Sequence, residues 1–242
     1  MSTERRSELA ANLDAVRERI GRACAAAGRD PGDVTLVAVT KFFPASDVDL
    51  LAELGVRAIG ENRDQEASGK VAELAHRDDL EVHFVGQLQS KKAGSVAEYA
   101  DVVQSLDRPK LVGALDRAAE RHGRRLAVLV QVDLDDPETG QGSEGGPGRG
   151  GVAPDEALAL ADEVARTDHL DLRGVMAVAP LGADPAPAFA RLREVARGIQ
   201  EHHPDATWIS AGMSGDLEQA IAAGATHLRV GTAILGSRQS HQ

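Results

Sequence analysis

Eight short apolar runs, each separated from the next by a stretch with helical spacing, constrain this chain more than any other feature. The runs cover residues 34–40, 57–60, 82–86, 102–105, 126–132, 172–177, 208–210 and 227–230. Many are rich in β-branched residues and flanked by Gly, Pro or Asp, the marks of strands buried on both faces of a parallel sheet. After the first run, Pro44-Ala45-Ser46 opens a helix through Leu50, Leu51 and Leu54 that stops at Gly55. Further helices are predicted over 63–75, 90–100, 109–122, 154–167, 185–202 and 216–223. Strict alternation of this kind requires parallel strands joined by crossover helices. An open doubly wound sheet and a closed barrel both satisfy it. Eight units in 242 residues, close to the typical ~250, favour a (β/α)8 TIM barrel, an α/β fold.

One helix is left over. It begins near Ser2 or Thr3, either of which can cap it, and carries Leu9, Leu13, Val16 and Ile20 on one face until Gly28 and Pro31 end it. The last strand is followed only by the short run 233–236, so this extra amino-terminal helix can fill the vacant place in the outer ring. A single domain over 1–242 is expected. Its rhythm is broken once, at 135–151, a run dense in Gly, Pro and acidic residues that cannot build a core. In a barrel that run lies on the rim where strands end, as a long flexible loop.

Composition narrows the partners. Aromatic residues are only 2% of the chain, so the core must come from Ala, Val, Leu and Ile. The net charge of −11, with no basic stripe, argues against nucleic acid and against anionic membrane surfaces. A lone cysteine, Cys24, excludes intrachain disulfides and thiolate metal clusters. The polar start of the chain has no apolar leader core, and no run reaches membrane-spanning length. A cytoplasmic protein, working as a monomer, is expected.

Functional groups in such barrels collect where strands end, and phosphate binds in the loops after the seventh and eighth strands. The first run shares one face among Val37, Val39 and Lys41. That places a lysine on the inner face at the strand's carboxyl end, to snorkel into water or to do chemistry. The second run leads into Gly60-Glu61-Asn62, and the seventh into Ser210-Ala211-Gly212-Met213-Ser214. The eighth carries Arg229 into Gly231 and Thr232. Glycines that let backbone approach an anion, with hydroxyl donors beside them, suit a phosphate. Arg229 alternates onto the same face as His227 and needs an acceptor, a ligand or a carboxylate such as Glu61. Lysine, anion cradle and arginine together suit an aldehyde that bears a phosphate, because a lysine amine condenses reversibly with a carbonyl. Pyridoxal 5′-phosphate (PLP) meets all three features; a phosphorylated sugar aldehyde meets the first two.

Several of these motifs resemble the pyridoxal phosphate homeostasis family. They are residues 36–41 with Pro44, Gly60-Glu61-Asn62 with Gln65-Glu66, and His83-Phe84-Val85-Gly86 with Leu88-Gln89-Ser90. Gly212-Met213-Ser214 with Asp216 and residues 229–234 with Gly236 complete the set. The resemblance spans nearly the whole chain in family order, and implies a stand-alone barrel similar to the amino-terminal domain of alanine racemases. It further implies that Lys41 carries PLP as a covalent aldimine and that Ser210, Gly231 and Thr232 hold the phosphate, with Met213 beside that cradle. Arg229 would meet the pyridine nitrogen, and Asn62 would lie near the ring. Arg63, Asp133, Lys91 and Ala211 depart from the residues common in the family, an aromatic, Asn, Asn and Met respectively.

The resemblance also implies a carrier serving intracellular PLP homeostasis, with apo PLP enzymes as possible recipients. Racemisation needs a base on each face of the substrate carbon. In alanine racemases a second, β-rich domain supplies a tyrosine for one face; this chain runs to Gln242 without such a domain, and its only tyrosine, Tyr99, falls in the helix after strand three. A guanidinium at the ring nitrogen also weakens the ring as an electron sink. A weakly active racemase, a Schiff-base aldolase, and an apo regulatory protein with a vestigial site remain as alternatives. His83 is expected to be a hydrogen-bonded core histidine, with cofactor contact as the alternative, and Met176 a packing residue, with pocket lining as the alternative; Glu61 is either a site carboxylate or the partner of Arg229 or Lys41.

Overall fold

The computed structural model describes residues 2–135 and 150–237. Most of the glycine-rich run, residues 136–149, lies outside the described residues. Parallel strands β1 (Thr35–Val39), β2 (Ala58–Glu61), β3 (Glu81–Phe84), β4 (Val102–Leu106), β5 (Leu126–Gln131), β6 (Leu170–Met176), β7 (Trp208–Ser210) and β8 (His227–Val230) close into a barrel in chain order. The closing seam pairs Thr35 with His227 and runs on to Ala38 with Val230. This is the TIM barrel that eight βα units in a chain of this length favoured, and not the open sheet.

Around it lie α1 (Ser2–Ala26), α2 (Ala45–Glu53), α3 (Asp64–Glu73), α4 (Ala93–Tyr99), α5 (Pro109–Arg121), α6 (Ala157–Ala165), α7 (Pro185–His202), α8 (Leu217–Ala222) and the single turn α9 (Thr232–Leu235). Helix α1 fills the place behind β8. Asn12 donates to the Ile234 carbonyl at 2.9 Å, and Arg19 to that of Ser214 at 2.7 Å. Just after the helix, Arg29 reaches the carbonyls of Ile221 and Ala225. Because α1 already includes Ser2 and Thr3, neither precedes it as a cap.

The core has two compartments. Between strands and helices, Leu9, Leu13, Leu51, Ile59, Leu115 and Leu192 pack with Phe84 and Phe189. Full burial of such side chains is worth about 1.5–3 kcal/mol each. Inside the barrel, Val102, Leu129 and Met176 pack with Trp208. Met176 is therefore a packing residue, as its apolar surroundings suggested.

Element edges moved for identifiable reasons. Strand β1 stops at Val39, yet the Thr40 N–H still reaches the Gly60 carbonyl at 3.0 Å. Lys41 thus sits in the turn after the strand and not on its last pleat. Strand β6 starts two residues earlier than its apolar pattern, at Leu170, because a bulge at Arg173-Gly174 hides the alternation. Gly174 has φ +147°, and a Cβ there would stand 1.9 Å from the Trp208 carbonyl oxygen, so only glycine fits. The region 90–100 divides into a 3₁₀ turn, Ser90–Lys92, followed by α4. The base of the glycine-rich segment is pinned by a bridge between Val132 and Val152, with the Asp133 N–H on the Val152 carbonyl at 2.9 Å.

Candidate functional site

Strands β7, β8, β1 and β2 are consecutive around the barrel, and every candidate residue lies at or just beyond the carboxyl end of one of them. Lys41 follows β1 and Asn62 follows β2. Ser210 ends β7, Met213 lies in the next loop, and Arg229 stands in β8 with Gly231 and Thr232 beyond it. The closing seam brings the end of β1 against the residue after β8: a Cβ on Gly231 would meet the Val39 carbonyl oxygen at 3.1 Å, two residues before Lys41. The segment after β8 and the segment after β1 therefore lie side by side because β8 pairs with β1.

The turn that carries Lys41 is clamped from α3. Lys70 Nζ donates to the Thr40 carbonyl at 2.8 Å, and Glu66 Oε1 accepts the Phe42 N–H at 2.5 Å. Phe42, with φ +72°, is a non-glycine residue held in the left-handed region. Lys41 itself is half-buried, with its ammonium 5.9 Å from the Phe42 ring centroid. Behind this turn Glu61 is fully buried. Its Oε1 accepts from Lys70 Nζ at 2.7 Å and from Thr40 Oγ1 at 2.6 Å. Glu61 thus pairs with neither Arg229 nor Lys41. Strand alternation explains the correction: Gly60 faces inward against Val37 and Val39, which turns Glu61 outward beneath α3. Burial lifts the Glu61 carboxyl above the usual range against the pull of Lys70.

Arg229 points into the barrel at the level where β6 and β7 end. One terminal nitrogen donates to Ser210 Oγ at 2.6 Å, and the other to the Ala177 carbonyl at 2.8 Å. No carboxylate lies within ion-pair distance of it among the described residues. Burial lowers its pKa to about 10, opposed by the charge of Asp216. A guanidinium has five N–H donors, so several remain for an acceptor entering from the mouth. Ser210 is fully buried at the floor, its hydroxyl shared between Arg229 and Gln104 Oε1, the latter at 2.7 Å. At the rim above it, the Met213 N–H is held by Asp216 Oδ1 at 2.6 Å, and the Met213 side chain is exposed. Thr232 is exposed and Gly231 half-buried. Asn62 packs on Gly86, where a Cβ would stand 2.0 Å from the Asn62 carbonyl oxygen. A cavity of about 560 Å³ opens on the Asn62 side, lined also by Arg63, Phe84, Gln87 and Lys92; Lys41 and Arg229 stand outside its lining.

Deeper groups escaped the sequence reading. Gln104 is fully buried, and its Nε2 lies 2.7 Å from His83 Nδ1. His83 Nε2 lies 2.6 Å from Glu81 Oε1, which makes His83 the hydrogen-bonded core histidine anticipated. A polar residue two positions after Val102, on the inward pleat of the strand, was the signal available for Gln104. Lys70 gave none beyond its i, i+4 spacing from Glu66. His227 packs at 4.3 Å on the Trp208 ring, and burial pushes its pKa down to about 3. The unfolded chain near 6.5 then holds more protons than the folded one across that interval. His227 thus contributes stability above about pH 6.5 that is lost as pH falls toward about 3. Acid titration of thermal stability should show this slope, and His227→Gln should flatten it.

The alanine racemase N-terminal domain family matches residues 11–239. A pyridoxal phosphate homeostasis protein of Mycobacterium tuberculosis is 43% identical over 251 aligned positions, covering 98% of this chain and 95% of that one. PipY of Synechococcus elongatus, solved with PLP bound, is 34% identical with a TM-score of 0.80, covering 94% of this chain and all of PipY. Alanine racemase of Corynebacterium glutamicum shares the fold at 15% identity and TM-score 0.69, over 94% of this chain and 60% of that enzyme. A barrel closed in this order, a family match over residues 11–239 and relatives alike over nearly their whole length lead to one assignment: the chain belongs to the pyridoxal phosphate homeostasis protein family, built on the alanine racemase N-terminal domain.

Proposed function

We propose that this protein binds pyridoxal 5′-phosphate and holds it for intracellular PLP homeostasis, without racemase activity. The observation that carries the reading is Arg229, buried inside the barrel with no carboxylate partner among the described residues and with donors to spare. A buried guanidinium whose remaining donors are unmet is costly, and a pyridine nitrogen is an acceptor without charge that suits the site. Gly231 and Thr232 would hold the phosphate, while the Ser210 hydroxyl at the floor, committed to Gln104 and Arg229, would steady Arg229 and not donate to the phosphate. Asn62 would border the ring, and Met213 would cover the cradle. PLP supplies an aldehyde, and Lys41 supplies the amine that holds it as a reversible covalent imine. The family membership and the PLP-bound relative support the same ligand.

What the chain's own residues do beyond binding is limited. Arg229 donates to the ring nitrogen and keeps it unprotonated, which restrains carbanion chemistry on the bound ring. Tyr99, the single tyrosine of the chain, packs in the outer core with its hydroxyl buried and unbonded. It cannot serve as the second base that racemisation requires. We take the whole chain to act as one PLP-binding unit, as a cytoplasmic monomer with apo PLP enzymes as recipients. Adding PLP should produce an absorbance band that borohydride bleaches, with the reduced adduct mapping to Lys41 by mass spectrometry. Exchange of L- and D-alanine at ordinary enzymatic rates would overturn the carrier reading.

A further inference from the structure

We infer that Gln104 is the positioning residue that aims Arg229 at the cofactor's ring nitrogen, through a one-way chain of hydrogen bonds crossing the barrel interior. The inference rests on the PLP reading above. Starting at the mouth, Arg229 donates to Ser210 Oγ at 2.6 Å, and Ser210 donates to Gln104 Oε1 at 2.7 Å. Gln104 Nε2 then faces His83 Nδ1 at 2.7 Å, and His83 Nε2 faces Glu81 Oε1 at 2.6 Å. Donor and acceptor chemistry leaves a single consistent direction. The guanidinium only donates, so Ser210 Oγ accepts there and turns its own proton to Gln104 Oε1. The amide nitrogen must then donate to His83 Nδ1, which leaves the His83 proton on Nε2, directed at a carboxylate.

The chain thus runs from a cation at the mouth to an anion near the opposite opening, where the Glu81 side chain is 43% exposed. The hydrogen bond from His83 holds the Glu81 carboxyl below its usual range. Every link between is fully or almost fully buried, so the aligned dipoles act in a low dielectric and reinforce one another. Gln104 is the middle of this line. Its amide accepts on one side and donates on the other, and thereby fixes which way the Ser210 proton points. With that proton turned toward Gln104, the Ser210 lone pairs face Arg229, and the guanidinium plane is set. Strands β3, β4, β7 and β8 each contribute a member, so the orientation belongs to the barrel and not to one loop.

Binding of PLP compared with its deaza analogue, in which a C–H replaces the ring nitrogen, tests this on the full-length protein. Wild type should prefer PLP by about tenfold or more, the worth of a charge-assisted hydrogen bond. In Gln104→Leu, and in the closer-shaped Gln104→Met, the preference should fall to within about threefold while both aldehydes still bind. Equal weakening of both ligands, or an unchanged ratio, would reduce Gln104 to a packing role and overturn the inference alone. A wild type that binds neither ligand would overturn the PLP reading, and this inference with it. One measurement needs no variant: nitrogen NMR of labelled wild-type protein should find His83 protonated on Nε2 only. A proton on Nδ1 would reverse the chain and defeat the proposal.

Discussion

Lys41→Ala is expected to abolish the borohydride-sensitive absorbance completely while leaving the barrel folded. The lysine lies beyond the last residue of β1, in a half-buried turn, and forms no hydrogen bond among the described residues. Its removal therefore deletes a reactive amine with little packing loss, and surface changes of this kind stay within about 0.5 kcal/mol. The anion cradle and Arg229 are untouched, so weak non-covalent PLP binding should persist. Circular dichroism, thermal melting and equilibrium dialysis against PLP check the three parts. A variant that kept a reducible adduct on another lysine would remove Lys41 from its assigned role.

Lys70→Met should have the largest effect on stability, a loss of about 3–5 kcal/mol, because it strands a buried carboxylate. Lys70 and Glu61 side chains are 5% and 0% exposed, and Glu61 Oε2 already lacks any partner. Once the ammonium is gone, desolvation dominates and Glu61 binds its proton more tightly in the folded state than in the unfolded chain. The sign of the pH dependence follows. The variant should be nearest to wild type in acid, and its deficit should grow as pH rises from the ordinary carboxylate range through the raised folded value. The same substitution frees the Thr40 carbonyl, so covalent capture of PLP should also slow. Denaturant unfolding at several pH values measures the first effect, and stopped-flow absorbance the second. A deficit that shrank toward alkaline pH would rule out Glu61 as its cause.

These two lysines show where sequence stops being informative. Lys41 could be picked out because it follows an apolar strand in a chain whose alternation predicts a barrel, and barrels place chemistry at strand ends. Lys70 sits on a helix among polar neighbours and reads as solvated. Its burial depends on how α3 lies across β1 and β2, a relation between segments that local pattern does not encode. Glu61 fails in the same way. The sequence offers its charge, while the inward turn of Gly60 decides that it faces away from the barrel's interior.

By itself, then, the order of residues determined the strand count, the parallel barrel and the group of residues at its rim. Periodicity and turn chemistry are local, and each βα unit announces itself. Only the closed tertiary structure decided that Gly231 abuts Val39, that Ser210 spends its hydroxyl on Arg229, and that Gln104 and His83 join β8 to Glu81 across the interior. Ser210 lies 19 residues from Arg229 and 106 from Gln104, and these contacts exist because closing the barrel turns alternate side chains of separate strands toward one axis.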